Sequence, residues 1–315
     1  MNQLHSKGVV ILDFGSQYTQ LIARKVRELN VYSEVLSPDT SLDKIKECDP
    51  SAIILSGGPS SVFADEAPIF DKNIFNIDVP ILGICYGLQL LAHHHGGSVE
   101  SNGQGEYGFA EINIDDDRKL FQNVSKCSQV WMSHMDRVTK IPEGWHALAH
   151  SSNGVIAAMS NEDQSIVATQ FHPEVSHTKE GKIFLNNFLF KIANCSPNWT
   201  AENFIEEQLE IIRNQVKDDK VIVGVSGGVD STVVAALLHK AIGDQSTAIL
   251  IDHGLLRMDE AKNCVKALKD GLGINIHCFD ESDIFLSKLE TVTDPEKKRK
   301  IIGNQFIYSF DRIAK

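Results

Sequence analysis

The sequence predicts an α/β protein made of two doubly wound domains, each with a mainly parallel sheet. Short apolar runs of strand length alternate with segments of helical periodicity along residues 9–95, and the same alternation restarts along residues 201–279. Strands that are apolar on both faces and separated by helices are typical of parallel sheets covered on both sides. The 315 residues also exceed the usual length of one compact domain, which favours two.

The first domain begins with buried strands separated by helices. The strands are predicted at Val9–Phe14, Val31–Leu36, Ala52–Ser56 and Pro80–Cys85, and the helices at Gln17–Leu29 and Gly87–His95. Beyond Glu106 the helical pattern fades, and four runs predict a more antiparallel edge: Phe109–Ile114, Val130–Ser133, Val155–Met159 and Ile166–Gln170. A helix from Lys179 to about Asn194 closes this domain.

Pro197 cannot continue that helix, so the boundary is predicted there and the domains are 1–196 and 197–315. The second domain is predicted to alternate three helices with three strands: Ala201–Val216, Val221–Val225, Asp230–Ile242, Thr247–Ile251, Met258–Gly271 and Ile274–Phe279. The last residues, Asp311–Lys315, lie in a helical pattern without a glycine or proline stop. We therefore expect further sequence to follow them.

The composition excludes several classes of function. The net charge is −12, and a chain this acidic has no diffuse attraction for phosphate backbones or anionic lipids. We therefore expect neither nucleic acid nor a membrane as a partner. The six cysteines are scattered without a CxxC pair, which fits neither a zinc site nor a disulfide framework. Since no signal-peptide pattern or long apolar span is present, we expect a cytoplasmic protein.

Cys85 is the first candidate catalytic residue. It lies between a predicted strand and a predicted helix, with Gly83 and Gly87 two residues away on either side. A nucleophile on such a tight turn needs small neighbours, and the N-terminus of the following helix favours the thiolate. Taken alone, the motif also fits a buried structural cysteine at the end of a core strand.

His172 and Glu174, in the sequence Phe-His-Pro-Glu, are the candidate partners of this cysteine. A cysteine nucleophile needs an imidazole that accepts and returns its proton, and the imidazole needs a carboxylate that fixes its tautomer. The two residues are two positions apart, so on an extended segment their side chains leave on the same face.

Acyl transfer through a thiolate also needs N–H donors for the oxyanion that forms. Ser-Gly-Gly-Pro at residues 56–59 follows a predicted strand, and its glycines can turn their amides into a site. We predict an oxyanion hole from the amides of Gly58 and Tyr86. A plain tight turn is the alternative interpretation of the two glycines.

In their order along the chain, GGP, G-x-C-x-G-x-Q and FHPE resemble the class I glutamine amidotransferases, from about Val9 to Ala193. The resemblance implies that Cys85 attacks the side-chain amide of glutamine and that His172, oriented by Glu174, moves the proton. It also implies a γ-glutamyl thioester that water hydrolyses while ammonia leaves for a second site.

The same resemblance implies which residues bind glutamine. Gln89 is in the family's glutamine position, and Ser133 and His134 belong to the segment Trp-Met-Ser-His-Met-Asp, which resembles the family's substrate-clamping segment. Met135 stands where the family usually has glycine.

The second constellation is a glycine-rich turn between the strand Val221–Val225 and the next helix. Successive backbone N–H groups and a helix N-terminus form an anion site, although the Walker A lysine is absent. Asp230 would repel phosphate unless a cation intervenes, which implies Mg²⁺. The motif resembles the PP-loop of the ATP pyrophosphatases, which implies ATP binding by Ser226, Gly227, Gly228, Val229, Asp230, Ser231 and Thr232.

Two later segments, Ile251–Arg257 and Asp294–Gly303, resemble those that follow the PP-loop in glutamine-hydrolysing GMP synthases, although His253 replaces the usual asparagine. This family joins an amidotransferase domain to a PP-loop domain, in the order predicted here. The resemblance implies glutamine, ATP and XMP as substrates, adenylation of XMP and its amination to GMP. It also implies a homodimer formed through a region beyond residue 315, without which we expect this chain not to make GMP.

Two rival functions stay open at this stage. One is another PP-loop ligase with a fused glutaminase that aminates a different acceptor. The other is a regulatory nucleotide-binding module with a decayed glutaminase, although that interpretation expects a broken triad or loop. The triplet His93-His94-His95 is not expected to bind metal, because adjacent helical side chains point in different directions. The cysteines other than Cys85 are expected to be structural.

Overall fold

The structure, a computed structural model, describes residues 7–101 and 105–315. The chain divides into two compact units, Met1–Thr200 and Ala201–Lys315. The predicted α/β class is confirmed, since each unit contains parallel strands connected by helices. The boundary at residues 196–197 stays a prediction. The first six residues, which belong to the stretch without a signal-peptide pattern, lie outside the described residues.

The first unit contains eleven strands among its described residues. They are β1 (Val9–Leu12), β2 (Ser33–Leu36), β3 (Ala52–Leu55), β4 (Ile81–Ile84), β5 (Ser98–Glu100), β6 (Glu106–Ile114), β7 (Cys127–His134), β8 (Arg137–Lys140), β9 (Trp145–Ser151), β10 (Ile156–Asn161) and β11 (Ile166–Thr169). Nine of them form one sheet in the order β2-β1-β3-β4-β11-β10-β9-β6-β7, and β5 pairs with β8 in a separate ribbon.

This sheet is parallel from β2 to β11 and antiparallel from β11 to β7. The antiparallel part, predicted as an edge, is therefore as extensive as the parallel part. Strand β9 escaped prediction because its apolar residues do not alternate strictly, and a bulge interrupts its register with β10. The short strands β5 and β8 carry too few residues for a periodic pattern.

Helices cover both faces of the parallel part. They are α1 (Thr19–Glu28), α2 (Leu42–Glu47), α3 (Tyr86–His94) and α4 (Gly181–Asn187), the last continued by a π-helical turn at Phe188–Ile192. Successive residues of β1 belong to two different cores: Val9 and Ile11 pack with α1 and α4, whereas Val10 and Leu12 pack with α2 and α3. Burial on both faces is the reason why the strands are apolar throughout.

The second unit is built around a smaller sheet. Its elements are α5 (Ala201–Val216), β12 (Val221–Val225), α6 (Val229–Ile242), β13 (Ser246–Asp252), α7 (Glu260–Lys266), β14 (Ile276–Asp280), α8 (Ser282–Leu289) and α9 (Pro295–Ala314). The strands pair in parallel in the order β12-β13-β14. Leu250 of β13 packs on the side of α6 and Ile251 on the side of α8 and α9, so this sheet is also covered on both faces.

No helix within residues 7–101 and 105–315 is both long enough and apolar enough to cross a membrane. The longest, α9, begins at a favourable N-terminus. Asp294 accepts a hydrogen bond from the backbone N–H of Lys297 at 2.8 Å, and Pro295 occupies the first turn.

Strand β4 and helix α3 approach each other at two glycines. A Cβ atom on Gly83 would lie 2.7 Å from backbone atoms of Gly87, and one on Gly87 would lie 2.5 Å from the carbonyl oxygen of Leu55. Neither neighbour is a flexible side chain, so neither can move away cheaply. The glycines that the sequence places around Cys85 are therefore required by packing.

We expect Gly83→Ala to lower the free energy of unfolding of the first unit by roughly 1–3 kcal/mol, the usual cost of overpacking. The three tryptophans, Trp131, Trp145 and Trp199, all belong to this unit, so urea unfolding followed by their fluorescence measures the change. Gly303→Ala, at an open helical position of the second unit, should leave the tryptophan transition in place. An unchanged midpoint in Gly83→Ala would contradict the prediction.

Candidate active site

Cys85 occupies the turn between β4 and α3. Its backbone has φ 53° and ψ −100°, a conformation that side-chain-bearing residues rarely adopt and that is typical of functional sites. Its N–H donates to the carbonyl oxygen of Thr169 at 2.7 Å, which continues the pairing of β4 with β11 beyond the last strand residue. The strained turn and this hydrogen bond fix the direction in which the thiol points.

A pocket of about 650 Å³ opens in front of Cys85. The predicted site residues of the first unit meet in its wall: Gly58, Cys85, Gln89, Ser133, His134 and His172 all line it. Glu174 lies behind His172, and Tyr86 follows Cys85 at the start of α3. The fold thus brings together residues that are up to 116 positions apart, from 58 to 174.

His172 and Glu174 form a buried pair, with Nδ1 of the imidazole 2.7 Å from Oε1 of the carboxylate. Their contact arises in a turn that follows β11, not on the extended segment that the sequence suggested. Thr178 donates its hydroxyl to the carbonyl oxygen of His172 at 2.6 Å, and the N–H of His172 donates to the carbonyl oxygen of Trp131 at 3.0 Å. These bonds hold the backbone of His172 in place.

The environment of His172 favours the imidazolium. Burial lowers the pKa of His172, but the carboxylate of Glu174 and the thiol of Cys85 outweigh burial and raise it to about 10. A negative charge on Glu174 or on Cys85 stabilises the protonated ring of His172. The pocket therefore favours a protonated His172 ring next to the sulfur of Cys85.

Of the two predicted oxyanion donors, Gly58 lines the pocket and Tyr86 follows Cys85 in the chain, and their role stays a prediction. Helix α3 begins at Tyr86, so the N–H groups of its first turn have no partner within the helix. Gly58 lines the pocket and has no room for a side chain, because a Cβ atom would lie 2.4 Å from the carbonyl oxygen of Phe14. Gly57 is closer still to the chemistry, since its Cβ would lie 3.6 Å from Cβ of Cys85 and 3.3 Å from Cε1 of His172.

Two of the three residues predicted to bind glutamine, Gln89 and His134, have side chains that already contact other protein groups. Gln89 donates from Nε2 to the carbonyl oxygen of Asp136 at 2.9 Å while it lines the pocket. The ring of His134 lies between that same carbonyl oxygen, at 2.9 Å, and Oε2 of Glu106, at 3.4 Å. Because both ring nitrogens face protein groups, the His134 ring braces the pocket wall, and the role of all three residues toward glutamine stays a prediction.

The sequence analysis missed two buried polar residues of this site. Glu106 accepts hydrogen bonds from Ser151 at 2.9 Å and from Asn153 at 2.8 Å, and it faces His134. Gln170, which has no exposed surface, places Nε2 at 3.6 Å from Sγ of Cys85. The only sequence signal for Gln170 was a polar residue at the end of the apolar run Ile166–Gln170. The sequence contained no comparable signal for Glu106.

Met135, which stands where the family usually has glycine, lies at the mouth of the pocket. Its side chain is exposed and lines the pocket, and its sulfur lies 3.8 Å from the hydroxyl of Tyr107. The other departure, His253, accepts a hydrogen bond at Nδ1 from the N–H of Leu255 at 3.2 Å, so its ring stabilises the turn after β13.

In the second unit, β12 leads into the predicted phosphate loop and α6 begins directly after Gly228. Gly227 has φ 78°, and the hydroxyls of Ser226 and Ser231 lie 3.2 Å apart across the loop. The fourteen residues of α6 make it a full helix, and the N–H groups of its first turn are unused within it. All seven predicted residues, 226–232, therefore surround one helix N-terminus.

Asp230 lies exposed in the first turn of α6, next to these N–H groups. Within the described part of the chain, no three histidine, cysteine or acidic side chains gather closely enough to hold a metal ion by themselves. A lone carboxylate fits Mg²⁺ bound mainly by phosphate oxygens and water, which is how this ion binds in nucleotide sites.

The histidine triplet has a structural explanation. His94 stacks on Phe75 at 4.3 Å between ring centroids, and His95 lies 5.0 Å from Trp145. Burial lowers the pKa of both His94 and His95, as expected for rings packed among aromatic side chains. The expectation that they bind no metal stays a prediction.

Comparison with known proteins adds to this geometry. Residues 10–192 match the family model "Glutamine amidotransferase class-I", and residues 200–305 match the model "NAD synthase". The chain belongs to the class I glutamine amidotransferases. The first match ends close to the limit of the first unit, and the second covers most of the second unit.

The relatives are GMP synthases. The chain is 50% identical over 303 residues to the glutamine-hydrolysing GMP synthase of Bacillus mycoides, covering 96% of this chain and 59% of that protein. It is 50% identical over 307 residues to that of Brachyspira hyodysenteriae, covering 98% and 60%. The chain thus spans about 60% of the length of these curated relatives.

One solved structure is similar to part of this chain. It is a Thermoplasma acidophilum protein described provisionally as one of the subunits of a GMP synthase, with a TM-score of 0.54 and 30% identity. The match covers 60% of this chain and 95% of that protein. Almost the full length of the Thermoplasma acidophilum protein therefore matches somewhat more than half of this chain.

We expect Glu174→Gln to lower the pKa of His172, because the carboxylate that raises it is lost while burial stays. A raised pKa stabilises the fold fully below pH 6.5, and this contribution disappears as the pH rises through about 10. The variant should therefore lose stability at neutral pH. Titration of the His172 ring signals by NMR measures the shift, and Glu143→Gln on the surface is the matched control. An unchanged His172 titration in Glu174→Gln would overturn this explanation.

Proposed function

We propose that the protein is a glutamine-hydrolysing GMP synthase. In this proposal the first unit releases ammonia from glutamine, and the second unit uses ATP to activate XMP for amination. The observation that carries the proposal is the presence, in one chain, of the Cys85–His172–Glu174 pocket and the loop 226–232. Both lie in a sequence that is 50% identical to GMP synthases along almost its whole length.

Glutamine hydrolysis follows from the first site. The thiolate of Cys85 attacks the side-chain carbonyl carbon of glutamine, and the imidazolium of His172 gives its proton to the departing nitrogen, so that ammonia leaves. The resulting γ-glutamyl thioester is attacked by water, whose proton His172 accepts, and the C–S bond breaks to release glutamate. Glu174 keeps the ring in the tautomer that this exchange requires.

The oxyanion that forms in both steps needs fixed donors. The N–H groups of Tyr86 and Gly58 are proposed to supply them, because Tyr86 begins α3 directly after Cys85 and Gly58 lines the same pocket. Gln89 and Ser133 line the same pocket and are proposed to contact the substrate, together with the backbone of His134. Gly57 lies close to this site, since a Cβ atom there would make a tight contact of 3.3 Å with Cε1 of His172 and an ordinary contact with Cys85.

The second site is proposed to bind the phosphates of ATP. The free N–H groups at the start of α6 and the hydroxyls of Ser226, Ser231 and Thr232 surround the turn, and Asp230 is proposed to bind Mg²⁺. Mg²⁺ would neutralise phosphate charge during transfer. In the proposed reaction the C2 oxygen of XMP attacks the α-phosphorus of ATP, pyrophosphate leaves, and ammonia then displaces AMP to give GMP.

A homodimer, a cytoplasmic location and the absence of nucleic-acid and membrane partners complete the proposal. The net charge of −12 supports the absence of nucleic-acid and membrane partners.

A different PP-loop ligase is the second candidate, because residues 200–305 match the NAD synthase model. The identity to GMP synthases over 96–98% of the chain favours XMP as the acceptor. The intact set of Cys85, His172 and Glu174 argues against a decayed regulatory module. In the test, the protein as the cell makes it is incubated with glutamine, ATP–Mg²⁺ and XMP. The formation of glutamate, AMP and GMP is then measured separately. Glutamate release without any XMP-dependent formation of AMP or GMP would overturn the choice of XMP.

We expect Cys85→Ala to abolish glutamine-dependent synthesis, because no nucleophile remains, while synthesis from added ammonium persists. Glutamate release should fall by several orders of magnitude. Cys127→Ala, at an exposed cysteine of the same unit, is the matched control and should behave like wild type. Equal loss of the glutamine- and ammonium-dependent activities in Cys85→Ala would sink the assignment.

We expect Asp230→Asn to weaken ATP binding about tenfold or more in the presence of Mg²⁺, because the ion loses its protein ligand. Without Mg²⁺ the variant should bind ATP no more weakly than wild type, since a repulsive carboxylate is gone. Calorimetric titration with and without the ion measures both values. Asp244→Asn, near the other end of α6, is the control. Equal ATP–Mg²⁺ affinity in Asp230→Asn and wild type would contradict the role.

A further inference from the structure

Gln170 is a buried amide that touches the reacting sulfur. It follows β11 directly, two residues before His172, and its side chain has no exposed surface. Its Nε2 lies 3.6 Å from Sγ of Cys85, within the range for an N–H donor and a sulfur acceptor. A buried amide N–H needs a partner, and the sulfur is the partner that this geometry provides.

The neighbouring amide fixes which end of Gln170 faces the sulfur. Nε2 of Gln89 donates to the carbonyl oxygen of Asp136 at 2.9 Å and lies 3.5 Å from Oε1 of Gln170. With its oxygen directed at this donor, Gln170 must direct its nitrogen at Cys85. The carbonyl of Asp136, the two amides and the sulfur thus form one continuous chain of hydrogen-bond partners.

Besides His172, the sulfur has a second polar neighbour, whose preference is opposite to that of the Gln170 amide. The carbonyl oxygen of Ser133 lies 3.6 Å from Sγ and accepts a hydrogen bond from the thiol, but it repels a thiolate. An N–H donor stabilises the thiolate and gains strength when its acceptor is ionised. The two contacts therefore favour different protonation states, and the amide of Gln170 favours the reactive one.

We propose that Gln170 is a further catalytic residue, whose amide N–H stabilises and orients the Cys85 thiolate while Gln89 holds that amide in the correct orientation. The inference rests on the proposed glutaminase role of Cys85. It gives Gln89, which lines the pocket, a task besides contact with the substrate, because its Nε2 sets the orientation of Gln170.

Two substitutions separate the donor from the rest of the side chain. Gln170→Met removes the N–H with little change in volume. Gln170→Glu keeps an oxygen for Gln89 and replaces the donor with a negatively charged oxygen. Gln164→Met is the matched control, because Gln164 is a buried glutamine of the same unit whose Nε2 donates to Asp116 at 3.0 Å.

The first measurement is the rate at which iodoacetamide alkylates Cys85 at pH 7, followed on the Cys85 peptide by mass spectrometry. Cys127, an exposed cysteine in the same molecule, corrects for reagent and handling. Loss of a hydrogen bond to a charged acceptor should slow alkylation of Cys85 relative to Cys127 by about tenfold or more in both Gln170 variants. Gln164→Met should match wild type.

The second measurement is glutamate release, resolved into kcat and KM. We expect kcat to fall about tenfold or more in Gln170→Met and further in Gln170→Glu, with KM changed less than about threefold, because the amide acts on the nucleophile. Wild-type alkylation and kcat in either variant would overturn the inference. An effect confined to KM would also overturn it, because that result assigns Gln170 to substrate binding.

The two levels of the proposal fail differently. If Cys85→Ala still releases glutamate, the proposed function is wrong whatever Gln170 does. If Cys85 is required but a folded Gln170→Glu variant keeps wild-type rates, only the role of Gln170 is wrong.

Discussion

The pairing of β4 with β11 is the constraint on which the Cys85–His172 site depends. The two strands are neighbours in the sheet and run in register from Ile81–Ile166 to Ile84–Thr169, so both end at the same edge. Cys85 follows one strand and His172 follows the other, which is the reason why residues 87 positions apart meet. Functional groups collect at the carboxyl ends of parallel strands because the chain there turns into loops and helix N-termini.

The site concentrates charge where water is scarce. Glu174 is almost fully buried and reaches His172 through Oε1 alone, while Oε2 has no hydrogen-bond partner among the described residues. A buried carboxylate with so few donors is costly unless a positive charge compensates, and the imidazolium supplies that charge. The same arrangement places the protonated ring of His172 between the Glu174 carboxylate and the sulfur of Cys85.

Much of the fold and both sites could be predicted because their signals are local. Apolar runs predicted the buried strands. The two glycines Gly83 and Gly87 indicated a tight turn around Cys85, and the structure shows that both lie where a Cβ atom would clash. What the sequence could not give depends on tertiary contacts. The turn that joins His172 to Glu174 replaced the extended segment, and Gln170 has meaning only beside Cys85, which β11 brings to it. The antiparallel strands were underestimated because a bulge breaks their alternation.

The two units use one local device, a strand that turns directly into a helix, for two kinds of chemistry. After β4 the turn is buried and carries a nucleophile, so backbone strain at Cys85 and tight glycine contacts fix a single sulfur atom. After β12 the turn is exposed, and a Cβ atom on Gly227 or Gly228 would meet only side-chain atoms, at 3.4 Å or more. A covalent step needs one atom held precisely in a low-dielectric wall, whereas phosphate binding needs several N–H donors open to a solvated ligand. The difference in burial therefore suits the first turn to the proposed attack on glutamine and the second to the proposed binding of ATP.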